Sequence, residues 1–146
     1  MEHRIYFNYS DKKLTGIKTT PLKNNIASLL KKEGVKRSHI QYIFCSGEYL
    51  LDINKQFLQH DYYTDIITFD LSDNASALLE GEIYISIDRV KDNAKTQQTD
   101  WKEELKRVLY HGVLHLCGYK DKTPKDEKQM RAKEEEYLKM FDGYTV

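Results

Sequence analysis

The run "RIYFNY" (Arg4–Tyr9) is aromatic and β-branched and predicts a first strand. Thr20 and Pro21 then predict a helix start, with the threonine as N-cap and the proline in the first turn. Leu22, Ile26, Leu29 and Leu30 recur at helical spacing, and Gly34 marks the stop. "SHIQYIFCS" (Ser38–Ser46) reads as a second strand. "EYLLDINKQFLQ" (Glu48–Gln59) reads as a helix with Leu50, Leu51, Ile53 and Phe57 on one side. "DIITFDL" (Asp65–Leu71) predicts a third strand, "SDNASALLE" a loop, and "GEIYISI" (Gly81–Ile87) a fourth strand. From Asp88 onward no strand pattern appears. "RVKDNAKTQQ" predicts a helix, and Asp100–Cys117 a stronger one, with Asp100 as cap and Glu103 completing a capping box. Its apolar stripe is Leu105, Val108, Leu109 and Leu116, and Gly118 ends it. Thr123 and Pro124 open a last helix running to Phe141, with Met130, Tyr137, Leu138 and Phe141 inward. The order β-α-β-α-β-β-α-α-α implies an α+β fold, a small four-stranded mixed sheet with packed helices. No repeat, low-complexity segment or linker interrupts it, so residues 1–146 are expected to form a single domain.

Composition narrows the function classes. The 23 basic and 23 acidic residues balance, so net charge gives no support for nucleic-acid binding, although a local basic surface stays open. No stretch approaches the ~20 apolar residues needed to span a membrane. "MEHRIYFNYS" lacks the pattern of a secretory signal, which implies a cytoplasmic protein with no membrane partner. Cys45 and Cys117 are then expected as reduced thiols, too few for a cysteine-based zinc site. The eleven tyrosines fit either surface packing or base stacking.

The chemistry concentrates in "HGVLHLCGYKDKT" (His111–Thr123). His111 and His115 lie four apart on a predicted helix, so their rings project from one face. Two imidazoles at that spacing can grip one metal ion. The alternative is one surface histidine and one core histidine bonded to backbone. Three features favour a metal: the helix stops at Gly118, the following turn returns Asp121 to the helix end, and Gly112 sits beside His111. A glycine inside a helix costs about 1 kcal/mol relative to alanine, so it implies close packing there. Two imidazoles and a carboxylate suit Zn²⁺ with a fourth position left open. The general base of the zincin motif is missing, because the helix reads His-Gly-Val-Leu-His, which argues against a metalloprotease. Cys117 faces elsewhere on the helix and reads as a buried structural thiol.

These residues resemble the YbeY-type endoribonucleases, whose pattern is His-Gly-X-Leu-His-Leu-X-Gly-Tyr-Asp-His. Residues His111 to Tyr119 match it at every specified position. "INKQFLQHDYYTDIITFDL" (Ile53–Leu71) and "GEIYIS" (Gly81–Ser86) are similar to two upstream segments of that family, and the likeness runs from about Ile40 to about Phe141. The resemblance implies a zincin-like fold and a zinc-dependent, single-strand-specific endoribonuclease. It further implies a role in rRNA processing, with 3′-end maturation of small-subunit rRNA, and rRNA and the ribosome as partners rather than DNA. One Zn²⁺ or another divalent transition metal would be held by His111, His115 and Asp121. Three positions depart from the family. Asp121 stands where a third histidine is expected, Lys120 where an aspartate is, and Leu58 where an arginine is. Aspartate remains a good zinc ligand, but leucine cannot hold a phosphate as arginine does. The attacking group, water or the RNA 2′-hydroxyl, stays open.

Asp65, Glu82 and Lys120 are the further catalytic candidates. Asp65 would orient a metal-bound histidine or belong to a strand-entry turn with Asp61 and Thr64. Glu82 would act as a base or lie exposed on its strand, and Lys120 would add positive charge beside the metal. His60 reads as a solvated loop residue. Lys102, Lys106, Arg107, Lys120, Lys122 and Lys125 fit a phosphate rim or, slightly better, a solvated face paired with Glu103, Glu104 and Asp126. "KEEEYLK" reads as exposed helix surface. Two other functions stay open: a metal-dependent hydrolase of another substrate, and a ribosome-associated factor with a structural metal, which Leu58 favours.

Overall fold

The computed structural model describes residues 2–73, 75 and 77–142. Along the chain run β1 (Glu2–Tyr9), α1 (Thr19–Lys32), β2 (Arg37–Cys45), α2 (Gly47–Leu58) and β3 (Ile66–Asp70). β4 (Leu78–Ser86), α3 (Ile87–Gln97), α4 (Trp101–Leu116) and α5 (Pro124–Met140) follow. The strands form one sheet in the order β1-β2-β4-β3. β1 is parallel to β2 and β2 to β4, whereas β3 is antiparallel to β4. This is the expected α+β class with a four-stranded mixed sheet. Asn74 and Ser76 of the expected loop lie outside the described residues, and β4 takes up that loop's last three.

The element boundaries follow from capping. Ser46 follows β2 and Ser86 ends the neighbouring parallel strand β4, where Cys45 pairs with Ser86. Each hydroxyl accepts a hydrogen bond from a backbone N–H three residues on, Tyr49 and Arg89, both at 3.1 Å. Those two bonds satisfy donors that a helix start leaves free. Ser46 is therefore a helix cap and not strand, and α3 begins at Ile87. Asp100 caps α4 from Lys102 N–H at 3.0 Å, but Glu103 turns to Lys106 Nζ at 2.9 Å, so the return half of the capping box does not form. Thr123 caps α5 as expected, with Pro124 behind it. Thr20 is not the cap of α1: that helix starts at Thr19, after Lys18.

The alternation of each strand divides the core. Ile40, Tyr42 and Phe44 of β2 and Ile83 and Ile85 of β4 face one side, with α1, α4 and α5 packed over them. Cys45 and Ile67 face the other side, under Leu50 and Ile53 of α2. Phe57, expected on the buried side of α2, is 66 % exposed near the end of that helix. Tyr42 reaches through the main core and donates its hydroxyl proton to the Leu109 carbonyl of α4 at 2.7 Å.

Two glycines let α4 lie against the sheet. A Cβ on Gly112 would stand 2.9 Å from both Cδ1 and Cγ2 of Ile83 and 3.2 Å from Cδ1 of Ile66. A Cβ on Gly81 would stand 2.7 Å from Leu116 Cδ1. The glycine beside His111 thus has the packing reason that its helix position implied. Gly112→Ala gains about 1 kcal/mol of helix propensity, against about 1–3 kcal/mol of overpacking in a filled core. Ile83 is fully buried and β-branched, so it has little room to yield. With Ile83 unable to yield, the upper end of that balance applies, and a net loss of up to about 2 kcal/mol is expected in urea unfolding. An unchanged midpoint would mean that the helix and sheet do not approach this closely.

Candidate metal centre

His111 sits on α4 where the helix passes over β4, and the Glu134 carboxylate of α5 faces it. His111 Nδ1 lies 2.7 Å from Glu134 Oε2. A carboxylate accepts, so Nδ1 carries the proton and donates it. Glu134 is only 2 % exposed. Its other oxygen accepts from Arg107 Nη1 at 3.1 Å, and Arg107 also grips the buried Glu104 through Nε (3.1 Å) and Nη2. Buried carboxylates are tolerated only when paired and hydrogen-bonded. One guanidinium fork serves two of them and so anchors the acceptor that orients His111.

The end of α4 sets the second imidazole. Gly118 takes φ +110°, a conformation that side chains disfavour. Gly118 N–H bonds the His115 carbonyl at 3.0 Å and Tyr119 N–H bonds the Leu114 carbonyl at 3.1 Å. These are the paired bonds of a Schellman motif. The reversal carries the Tyr119 carbonyl to 3.1 Å from His115 Nδ1. A carbonyl only accepts, so this Nδ1 also carries its proton. In their neutral forms both rings then present Nε2 with a free lone pair. The same turn returns Asp121, whose Oδ2 lies 3.2 Å from His111 Nε2.

Among the described residues, no three His, Cys, Asp or Glu side chains stand gathered around one point as a finished metal cage. The donor chemistry nevertheless fits a divalent transition metal. Two imidazoles have their tautomers fixed by outer acceptors, and a carboxylate stands against one of the free nitrogens. His111 and Asp121 open on a cavity of about 510 Å³ that Arg107, Lys128, Arg131 and Glu134 also line.

Asp65 lies near enough for its charge to act on His111, but its carboxylate accepts from Asn93 Nδ2 at 3.1 Å, and Glu134 is the acceptor bonded to His111 Nδ1. The other sequence candidates lie elsewhere. Glu82 points to the sheet face opposite His111, beside Tyr84 and α2, because the alternation that puts Ile83 under Gly112 turns its neighbours away. Lys120 lines a separate hollow with Glu33, Cys117 and Tyr119. His60 stacks on Tyr62 in the loop after α2. Leu58 is half exposed at the end of α2. Arg107 and Glu104 form a buried pair rather than part of a solvated face. Cys117 is half-buried, and burial pushes its thiol up to about 12, which leaves it protonated and a poor ligand. Both cysteines are free. Glu134 belongs to "KEEEYLK", which is therefore not all exposed surface. Its signal was present in the spacing: Met130, Glu134, Tyr137 and Phe141 share one helix face.

Burial alone would lower the His111 pKa. The hydrogen bond and charge of Glu134, with Asp121 and Asp65, outweigh burial and hold it above the usual imidazole value. A second proton on Nε2 bridges His111 to Asp121, so proton and metal compete for the same lone pair. In metal-free protein this titration stabilises the fold below the ordinary imidazole pKa. That stabilisation is lost as pH rises through the folded-state value. An NMR titration of metal-free protein is expected to give His111 a pKa above 6.5. Glu134→Gln, which keeps an acceptor and removes the charge, should bring it down. A His111 that titrates alike in both proteins contradicts this arrangement.

The family model described as endoribonuclease YbeY matches residues 6–142. Endoribonuclease YbeY of Cytophaga hutchinsonii is 50 % identical over 95 % of this chain and 96 % of that one. Its counterpart in Flavobacterium psychrophilum is 51 % identical over 81 % of this chain and 83 % of its own. The solution structure of TM1509 from Thermotoga maritima superposes with a TM-score of 0.66 at 30 % identity, covering 94 % of this chain and 87 % of that one. The chain belongs to the YbeY endoribonuclease family.

Proposed function

We propose that this chain is a metal-dependent, single-strand-specific endoribonuclease of rRNA processing, acting as one domain in the cytoplasm on the 3′ end of small-subunit precursor RNA. The observation that carries the reading is the pair of imidazoles on α4. Each gives its Nδ1 proton to a fixed oxygen, and Asp121 stands against the free nitrogen of one of them. His111, His115 and Asp121 would hold Zn²⁺, and the endoribonuclease activity of the relatives supplies the substrate class. A bound zinc ion would supply Lewis acidity toward a phosphoryl oxygen. The protein's own groups do the rest. Glu134 and the Tyr119 carbonyl fix the Nδ1–H tautomer of each imidazole and aim its ring. Arg107 keeps Glu134 ionised: burial would raise that carboxyl, but His111 first and then Arg107 hold it low. Lys128 and Arg131 put cations on the same cavity for a phosphate backbone.

His115 is exposed, so His115→Ala tests the site with little effect on the fold. Its unfolding free energy is expected to stay within about 0.5 kcal/mol of the parent, while bound zinc and cleavage of single-stranded rRNA precursor are both lost. Equal zinc content in the two proteins would sink the metal site. Cleavage that survives full metal removal would sink the metal mechanism. No cleavage by a zinc-loaded parent protein would favour a ribosome-associated factor, the reading to which Leu58 points.

A further inference from the structure

Glu33 occupies the C-cap of α1, a position where a carboxylate meets the negative end of the helix dipole and is locally unfavourable. Two lysines, Lys31 and Lys32, occupy the last turn as the dipole prefers. The Glu33 side chain turns inward instead. Oε1 accepts from the Tyr119 hydroxyl at 2.8 Å, Oε2 accepts from the Tyr137 hydroxyl, and Lys133 Nζ lies 3.6 Å away. Burial would raise this carboxyl, yet the two tyrosine hydroxyls and Lys133 hold it below the ordinary value. A local rule broken in this way signals a task elsewhere in the fold.

Tyr119 is the residue through which that task runs. Its N–H closes the Schellman motif on Leu114, its carbonyl receives the His115 Nδ1 proton, and its hydroxyl is tied to Glu33. Lys133 also sits 5.8 Å from its ring centroid. The residue is thus fixed at backbone and side chain, and Asp121 follows it by two positions. The His111 imidazole is oriented by α5 through Glu134. The His115 ring is oriented by this turn through the Tyr119 carbonyl, and Glu33 ties the turn to α1.

We propose that Glu33 is a positioning residue for the metal centre, acting through Tyr119 to hold the turn that orients His115 and delivers Asp121. This rests on the reading of His111, His115 and Asp121 as metal ligands. Glu33 touches none of the three, and it sits 86 residues from Tyr119 along the chain.

The test uses the full chain and four variants: Tyr119→Phe, Glu33→Gln, their combination, and Tyr137→Phe. Zinc affinity is read by competition with a chromophoric chelator. Outer-shell partners of metal ligands are worth about 10–100-fold in affinity. Tyr119→Phe and Glu33→Gln are each expected to weaken zinc about tenfold. The double variant should be no weaker than the poorer single one, because both changes cut one chain of contacts. Tyr137→Phe removes the other hydroxyl from Glu33 and should lower the unfolding midpoint while zinc affinity stays within about twofold. The ¹⁵N spectrum of metal-free protein gives a second readout: both variants should reduce the Nδ1–H tautomer of His115. Parental zinc affinity and an unchanged tautomer in folded Tyr119→Phe overturn the proposal, as do affinities that merely follow stability across all four variants. If the parent binds no zinc, the metal reading falls, and the tautomer alone decides whether Glu33 positions His115.

Discussion

Everything at the site depends on how closely α4 lies to the sheet. The helix carries both histidines, and it can settle on β4 only because Gly112 meets Ile83 and Gly81 meets Leu116 without a Cβ between them. The Tyr42 hydroxyl ties the same helix to β2 through the Leu109 carbonyl. Apolar burial supplies the driving force, and the two glycines set the separation. Once α4 is seated, His111 stands beside Glu134, and the open cavity next to it forms between α4 and α5.

The polar chemistry is built outward from buried charge. Glu104, Arg107, Glu134 and His111 form a continuous chain in which each carboxylate has a partner. Such a network contributes little net stability compared with an apolar core of equal volume. Its effect is on geometry: it fixes which nitrogen of His111 carries the proton and where the ring points. His115 solves the same problem differently, with a backbone carbonyl in a glycine-dependent turn. One imidazole is thus set by electrostatics and the other by chain reversal.

The sheet, the helix order and the histidine pair were legible because they rest on local patterns: period-two alternation, helical spacing, and glycine and proline punctuation. The YbeY resemblance was legible in the same stretch that forms the end of α4. Ser46 and Ser86 stand at strand-to-helix junctions and cap the helices that follow, so a boundary drawn on hydrophobicity shifts by one or two residues. Glu134 was hidden by three consecutive glutamates whose composition reads as solvent-facing, although its spacing from Met130 and Tyr137 placed it inward. Glu33 carries only the local signal of an acid at a helix C-terminus, and nothing nearby names its partners, which lie 86 and 104 residues further along the chain. Glu82 lies on the sheet face opposite His111 for a topological reason: a strand's place in the sequence does not say which face a given side chain takes.

The central claim is that α4 and the turn after it form a metal site of two imidazoles and a carboxylate. Zinc-edge X-ray absorption of the purified, zinc-loaded protein reads that ligand set directly. The account expects nitrogen and oxygen neighbours only, at about 2.0–2.2 Å, with imidazole multiple scattering from two histidines. A sulfur shell at about 2.3 Å, or a spectrum without imidazole scattering, would contradict it.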